Sequence, residues 1–252
     1  MIYHSMSQSI VVRNKLYQTF PLIHHCPLDR PHQIWHDLVR ICGKSSKSTR
    51  KPGDLTIITF NNTDEKMLLE HRLCNSQTDH VVLGKGLSEW KNPLKIQLLA
   101  EYLPSVKTDF VLVMDACDVI ISSDLLGVIG KFLEFRCKVL YNASSFIYPY
   151  ETHYSSLERN ITQDLFGHFN SGCFIGFTDY CRELYRQVNS YEDETTMAHA
   201  YSDQIKLKPF YLQEYPKIKI DSGCKLFQIW NINRLVKDYV CEDILDICCK
   251  FL

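Results

Sequence analysis

Apolar and polar positions change in blocks along the chain, with short apolar runs separated by longer segments that repeat their apolar residues at helical spacing. The short runs predict strands, because continuous runs of β-branched and other apolar residues are typical of strands buried on both faces. The predicted strands are residues 20–23, 55–60, 80–83, 110–114, 139–142, 169–177, 218–221 and 224–230.

The intervening segments predict helices, since their apolar residues recur every three or four positions. Strands that alternate with helices indicate βαβ units, so the expected class is α/β, with a parallel sheet covered by helices on both faces. In the helix at 125–135 we expect Leu125, Ile129, Phe132 and Leu133 to face inward. The predicted helices are residues 31–41, 65–74, 94–103, 125–135, 180–188, a run from Ser202, and 236–252.

Residues 43–54, GKSSKSTRKPGD, are small, basic and interrupted by Pro-Gly, which predicts a linker. The linker divides the chain into an N-terminal segment, residues 1–42, and a main domain, residues 55–252. A chain of 252 residues is long enough to bury a large core. Its 45% apolar and 23% charged residues are ordinary values for a globular protein.

Charge and patterning disfavour several classes of function. A net charge of −1 supplies no basic field, so we expect no nucleic-acid partner. No apolar run has membrane-spanning length and residues 1–18 lack a signal-peptide pattern, so we expect neither a span nor a signal in this chain. The 11 cysteines form no CxxC pair, so a zinc site with that spacing is not expected.

The strongest candidate chemistry follows the apolar run at 110–114, which leads directly into Asp115 and Asp118. Residues just past such a strand lie at the carboxyl edge of the sheet, where α/β proteins bind ligands. Two nearby carboxylates suit Mg²⁺ or Mn²⁺, which also bind phosphate oxygens. Alternatively, both aspartates begin a turn and cap the next helix. Their spacing alone leaves both interpretations open.

Longer motifs point to a family. In chain order they are LTIITFNN (55–62), VVLGKGLSEW (81–90), FVLVMDACDVII (110–121), KVLYNASSFIYP (138–149), FNSGCFIGF (169–177), SDQ (202–204) and IDSGCKLFQIWN (220–231). With these motifs the chain resembles the glycosyltransferase domain of the procollagen lysyl hydroxylases. The resemblance implies a Rossmann-like GT-A fold, whose mixed, mostly parallel sheet carries helices on both faces.

The resemblance also implies an activity. A hexose would move from a UDP-sugar to a hydroxyl group, on hydroxylysine or galactosyl-hydroxylysine of a collagen-like protein. The family works in the lumen of the endoplasmic reticulum, and its members carry other domains in a longer chain. The alternative is a catalytically degenerate GT-A domain that serves as a structural or substrate-recognition module.

On the donor side, the resemblance assigns Asp115 and Asp118 to a Mn²⁺ ion that bridges the two phosphates of the UDP-sugar. Lys95 would lie near the diphosphate and Trp90 near the nucleotide, with Asn61 also on the donor side. Without the family, Lys95 is simply an exposed helix residue and Trp90 a core aromatic residue.

On the acceptor side, the resemblance places Asn170 and Asp203 along the part of the cleft that holds the sugar and the acceptor, as candidate catalytic residues. From the residue type alone, Asp203 is an acidic residue in the first turn of a helix, where carboxylates are favoured.

The third metal ligand of the family is a histidine near the end of its domain, after the region that matches CKLFQIWN. Here the similar stretch comes first, as IVVRNKLYQTFPLIHHCPLDRP (10–31), and His25 takes the ligand position. Either the chain is a fragment of a tandem protein or it is a permuted domain in which this stretch completes the site. In the simplest interpretation His24 and His25 are only a strand-end pair.

Two departures from the family pattern are expected to weaken donor binding. HHCP stands where the family has HGNG, and Pro27 has no N–H to offer to a phosphate. Cys117 stands where the family more often has an aromatic residue beside the nucleotide.

Overall fold

The computed structural model of the protein describes residues 8–27, 33–44, 49–149, 153–230 and 245–251. The strands are β1 (Gln8–Asn14), β2 (Ile23–His25), β3 (Leu55–Phe60), β4 (Val81–Leu83), β5 (Phe110–Met114), β6 (Val119–Ile121), β7 (Val139–Ser144), β8 (His168–Phe177), β9 (Ile218–Ile220), β10 (Phe227–Ile229) and β11 (Leu245–Phe251). The helices are α1 (Gln33–Lys44), α2 (Leu68–Asn75), α3 (Leu94–Tyr102), α4 (Val128–Leu133), α5 (His153–Ile161), α6 (Thr178–Ser190), α7 (Glu194–Ala198) and α8 (Asp203–Gln213), and Leu103–Ser105 forms a 3₁₀ turn.

The largest sheet has six strands in the order β4-β3-β5-β8-β7-β9. Strands β4, β3 and β5 are parallel, and β9 is parallel to β7. Strand β8 lies between β5 and β7 and is antiparallel to both. The expectation of an α/β fold with a mixed, mostly parallel sheet is confirmed, although the alternation of elements by itself did not indicate that β8 is antiparallel. An apolar run indicates burial on both faces and carries no information about strand direction.

Alternate residues of the central strands pack on opposite faces of this sheet. Ile57 and Leu112 belong to a core cluster with α2 and α4, whereas Ile58 and Val111 belong to a cluster with α3, α6 and α8. All four side chains are completely buried, and each contributes about 1.5–3 kcal/mol of hydrophobic stabilisation. Helices therefore cover both faces and hold the carboxyl ends of β3 and β5 in place.

Strand β2 lies in a smaller sheet, between β10 and β6. It is parallel to β10 and antiparallel to β6, and the N–H of Trp230 donates to the carbonyl of His25 at 2.9 Å. The predicted strand at 20–23 is thus shifted to Ile23–His25, because Pro21 cannot donate to a ladder. Strand β6 was missed, since its three residues directly follow the Asp118 turn.

Several residues of the segment predicted as a linker, residues 43–54, lie in a helix or contact the main domain. Helix α1 continues to Lys44, and residues 45–48 lie outside the described residues. Thr49 is completely buried and its carbonyl accepts a hydrogen bond from Thr78. The carbonyl of Arg50 accepts from the N–H of Leu125 at 2.9 Å. The second half of this segment is therefore packed against the domain.

One helix prediction fails, and another is wrong for one side chain. Residues Leu245–Phe251 of the predicted helix at 236–252 form β11, which pairs antiparallel with β1, whereas residues 236–244 lie outside the described residues. A short apolar run fits either element, and here a strand from the other end of the chain provides its backbone partners.

Leu133, expected to face inward, is 48% exposed because α4 ends there. Helix α5 is absent from the helices predicted from the sequence. Among the described helices, none is both long and apolar enough to cross a membrane.

Candidate functional site

A cleft of about 400 Å³ opens at the carboxyl ends of β3 and β5. One wall follows β3 and the loop before α3, and the other is formed by the residues after β7, the middle of β8 and the start of α8. All eight residues selected from the sequence line this cleft, namely His25, Asn61, Trp90, Lys95, Asp115, Asp118, Asn170 and Asp203.

Three of these residues form a cluster that suits a metal ion. The Nε2 atom of His25 lies 3.2 Å from Oδ2 of Asp118 and 3.9 Å from Oδ2 of Asp115. One ligand atom from each residue lies within 4.8 Å of the others. The second oxygen of Asp118 is buried and accepts no hydrogen bond within the described part of the chain. Two carboxylates and an imidazole are suitable ligands for Mn²⁺.

The fold brings these three side chains together through backbone contacts. The N–H of Asp115 donates to the carbonyl of Gly172 at 2.8 Å, and the N–H of Cys26 donates to the carbonyl of Asp118 at 2.8 Å. A Cβ atom on Gly172 would lie 2.3 Å from Cε1 of His25. A larger residue at this point of β8 would therefore displace the imidazole of His25.

Burial and the neighbouring charges together determine the pKa values of the cluster. Burial alone would lower the pKa of His25, but Asp118 and Asp115 outweigh it and raise that pKa. Burial would raise the pKa of Asp118, yet the neighbouring His25 holds it below its usual value. Burial, reinforced by Asp118, raises the pKa of Asp115 despite the nearby Lys95. The cluster therefore favours a cation at its centre.

Lys95 connects the two sides of the cleft. Its Nζ lies 2.9 Å from Oδ1 of Asp115 and 3.2 Å from Oδ2 of Asp203, and its side chain is only 10% exposed. Burial would lower its pKa, but the two carboxylates outweigh burial and raise it well above the usual range. Lys95 therefore stays charged, and it is a buried residue at the start of α3 rather than an exposed one.

A chain of side-chain amides runs from the metal cluster to the opposite rim. Nδ2 of Asn142 lies 3.3 Å from Nδ1 of His25 and 3.4 Å from Oδ1 of Asn170. Asn170 in turn donates to Gln204 at 3.4 Å, and Gln204 donates to the carbonyl of Tyr148 at 2.7 Å. Neither Asn142 nor Gln204 was predicted from the sequence as a site residue. An amide directly after the apolar residues of a buried strand was the available signal for Asn142.

Trp90 and Asn61 both line the cleft, on the wall that follows β3 and the loop before α3. The ring of Trp90 packs against Phe60 with their centroids 6.1 Å apart. The amide of Asn61 donates to the carbonyl of Glu65 at 2.7 Å and accepts from the N–H of Thr63 at 2.8 Å. Asn61 thus shapes the turn after β3, and its contact with a donor remains a prediction.

Pro27 and Cys117, the residues at which the sequence departs from the family pattern, both line the cleft. Pro27 follows β2 beside the metal cluster, and the exposed Cys117 stands between the two aspartates. Partial burial, with the charges of Asp118 and Asp115, raises the pKa of the Cys117 thiol to about 12. The thiol is therefore protonated at neutral pH and presents a small, uncharged surface.

Comparison with known families matches residues 58–243 to the family described as the PLOD GT domain. The chain belongs to this family. This PLOD GT domain is 29% identical to a Drosophila melanogaster procollagen-lysine,2-oxoglutarate 5-dioxygenase over 164 residues, which cover 58% of the chain and 21% of that protein. It is 25% identical to procollagen-lysine,2-oxoglutarate 5-dioxygenase 2 of Mus musculus over 154 residues, which cover 59% of the chain and 20% of that protein.

The aligned region spans about a fifth of the length of these relatives. The family is that expected from the sequence motifs, and the mixed α/β fold is consistent with its GT-A architecture. A glycosyltransferase-like domain is therefore established. The matched region begins at residue 58, so His25 lies outside it. The placement of His25 beside Asp115 and Asp118 rests on the geometry alone.

Proposed function

We propose that this PLOD GT domain is a metal-dependent glycosyltransferase that moves a hexose from a UDP-sugar to a hydroxyl acceptor. The observation that carries the proposal is the cluster of His25, Asp115 and Asp118 beside Lys95 in an open cleft. The family resemblance suggests Mn²⁺ as the ion and hydroxylysine or galactosyl-hydroxylysine of a collagen-like protein as the acceptor. The names of the two relatives, which specify procollagen lysine, support this acceptor class.

The donor set fits a divalent ion of this kind. The two aspartates and Nε2 of His25 would hold it, and the buried free oxygen of Asp118 is available as a ligand atom. When bound, the ion would neutralise the negative charge of the UDP leaving group. The remaining stabilisation comes from fixed charges of the chain itself, which cost little reorganisation during the reaction.

Lys95 is the positive charge best placed to assist on the leaving-group side. Because Asp115 and Asp203 both hold its ammonium group, its position is fixed before a substrate arrives. A buried, permanently charged ammonium group attracts phosphate oxygens more strongly than an exposed one. Its contact with Asp203 also fixes the carboxylate that we assign to the acceptor.

Asp203 and Asn170 are proposed to act on the sugar and the acceptor. The side chain of Asp203 is 9% exposed, and Gln204 beside it holds Asn170. In the transfer, the bond between the anomeric carbon and the diphosphate oxygen breaks and a bond to the acceptor oxygen forms. Asp203 would orient the acceptor hydroxyl, whose proton is released.

Partners and compartment follow from the same resemblance. A UDP-sugar and a collagen-like acceptor are the proposed substrates, with other domains of a longer chain as further partners. The lumen of the endoplasmic reticulum, where the family works, is the proposed site of the reaction.

Titration calorimetry of UDP with and without Mn²⁺ tests the proposal. We expect binding that requires the metal, and we expect Asp118→Ala to weaken it at least about 100-fold because a ligand atom is lost. Asp179→Ala, which removes a 92% exposed carboxylate on α6, is the matched control and should bind like the wild type.

Absence of UDP binding under both conditions would reject the transferase and favour the degenerate recognition module. Metal-dependent binding that survives in Asp118→Ala would reject the assigned metal site. Binding in the expected pattern justifies assays of UDP-glucose and UDP-galactose with hydroxylysine-containing collagen peptides.

A further inference from the structure

Asn142 stands at an irregularity of the central sheet that brings it to the metal cluster. Between Tyr141 and Asn142 the register of β7 against β8 shifts, so Tyr141 pairs with Phe174 but Asn142 pairs with Asn170. The extra residues of β8 include Gly172, the residue that packs on the ring of His25. The side chain of Asn142 is in this way buried among the site residues, with 1% of the residue exposed.

The ring of His25 has two nitrogen atoms with separate surroundings. Nε2 faces the carboxylates of Asp118 and Asp115, where a metal ion would bind. Nδ1 faces the interior, and the amide of Asn142 lies 3.3 Å from it. Gly172 leaves no space for the ring to move towards β8.

Metal binding through Nε2 places the ring proton on Nδ1, which then needs a hydrogen-bond acceptor. Histidine ligands are usually held by such a partner, a carboxylate, a carbonyl or a water molecule, which fixes the tautomer and the ring orientation. We propose that Asn142 is the positioning residue for His25, and that its amide oxygen accepts the Nδ1 proton when a metal ion occupies Nε2. This inference rests on the metal-binding role of His25 proposed above.

The amide must turn to do so. Its nitrogen faces Nδ1, and its oxygen accepts from the N–H of Ala143 at 2.8 Å. A half-turn exchanges the oxygen and nitrogen with little change in shape, since the two atoms differ mainly in their hydrogen bonds. The bond from Ala143 and the longer one to Asn170, at 3.4 Å, are given up, and a stronger bond from a metal-polarised imidazole replaces them.

Substitutions of Asn142 separate positioning from packing. Asn142→Leu removes both polar atoms at similar volume, and we expect Mn²⁺ affinity to fall about 10- to 100-fold. Asn142→Asp keeps oxygen acceptors beside Nδ1, and we expect affinity within about 3-fold of the wild type or tighter. The readout is the loss of the free Mn²⁺ paramagnetic resonance signal on titration, at a pH of about 8, where the introduced carboxylate is ionised.

Asn14→Leu is the matched control, because Asn14 is another completely buried amide, bonded to Gln228 at 2.8 Å and absent from the cleft lining. It should lower the melting temperature and leave Mn²⁺ affinity unchanged. A folded Asn142→Leu protein with wild-type affinity would overturn the inference. A folded Asn142→Asp protein that binds Mn²⁺ as weakly as Asn142→Leu would also overturn it. If Asn142→Leu does not fold, an Asn142→Asp protein that binds Mn²⁺ at least about 10-fold more weakly than the wild type would do the same.

If no Asn142 variant folds, a measurement on the wild-type protein tests the inference. Nitrogen-15 shifts of labelled histidine with and without Mg²⁺, assigned with His25→Gln, should show Nε2 bound to the metal and a protonated Nδ1. Metal bound through Nδ1 would overturn the inference. A wild type that binds no divalent metal refutes the proposed function and this inference together, whereas wild-type binding with the wrong variant pattern refutes only the inference.

Discussion

Lys95 and Lys208 are both buried lysines paired with carboxylates, yet their environments have opposite consequences. Lys95 opens onto the cleft between Asp115 and Asp203, and its pKa is raised. Lys208 is completely buried beside Glu158, with Nζ 3.0 Å from Oε1, and burial lowers its pKa. Two carboxylates outweigh the loss of solvent, whereas the single glutamate does not.

The same contrast separates two adjacent histidines. His25 faces the cleft carboxylates, which raise its pKa. His24 points the other way on β2, with Nε2 3.0 Å from Oγ of Ser122, and burial lowers its pKa to about 3. Positive charge is thus stabilised at the cleft, on Lys95 and His25, and disfavoured in the interior, on Lys208 and His24. The first arrangement suits chemistry on a charged substrate, and the second holds elements together.

Breaking the interior pair should have the largest effect on stability. Glu158→Leu leaves Lys208 buried without its carboxylate, and we expect the free energy of unfolding to fall by about 3–5 kcal/mol. Adding Lys208→Met should recover the part of the loss that comes from the unpaired ammonium group, whereas His168, whose Nδ1 lies 3.1 Å from Oε2 of Glu158, still lacks its partner. Denaturant unfolding measures both variants. The exposed carboxylate of Glu183, paired with Arg186 on α6, provides the control, and Glu183→Gln should leave the midpoint unchanged. A small loss in Glu158→Leu would mean that Lys208 reaches solvent.

Removing the lysine of the cleft should instead affect activity. Lys95→Met is expected to lower kcat about 100-fold, or about 2.7 kcal/mol of transition-state stabilisation, because a fixed charge near the diphosphate is lost. The free energy of unfolding should fall less than in Glu158→Leu, because Asp115 keeps 21% of its side chain exposed at the cleft whereas Glu158 is completely buried. Lys91→Met, which removes a 74% exposed charge from the preceding loop, should retain wild-type kcat. Full activity in Lys95→Met would assign this lysine to structure alone.

The positions of Asp115 and Asp118 could be predicted from the sequence, because a buried strand and the residues that follow it form a continuous, local pattern. Strand β5 and the position of Asp115 and Asp118 at its end were predicted correctly. The location of His25 needed the family pattern, since either histidine of the pair fits a strand end. Only the pairing of β2 with β6 and β10 determines that His25 faces the aspartates and His24 the interior.

Long-range pairing explains what was not predicted. Glu158 and Lys208 lie in helices of ordinary polar composition, and nothing local indicates that both are completely buried. The shift in register between β7 and β8, which brings Asn142 next to His25, likewise depends on how the two strands align. Such features depend on contacts between distant segments, on which periodicity carries no information.

The histidine comparison gives a pH dependence with a defined sign. The unfolded chain binds a proton at His24 near pH 6.5, but the folded protein does so only near pH 3. Stability contributed by neutral His24 is therefore present above pH 6.5 and is lost as the pH falls below it. Between pH of about 6.5 and about 5 the loss should be about 2 kcal/mol. His24→Gln keeps a donor for Ser122 and should flatten this part of the stability profile; an unchanged slope would show that other groups cause it.

The smallest expected effect comes from moving only the histidine of the cleft. In Gly172→Ala the new methyl group would start 2.3 Å from Cε1 of His25, so the ring must shift away from β8. We expect Mn²⁺ affinity to fall about 10-fold, or about 1.4 kcal/mol, while the pH profile due to His24 stays as in the wild type. Gly130→Ala on α4, where no atom lies within 4 Å of the new methyl group, is the matched control and should not alter Mn²⁺ binding. Equal affinities in the two variants would mean that the ring position of His25 does not limit metal binding, and that the difference between the two histidines concerns proton binding alone.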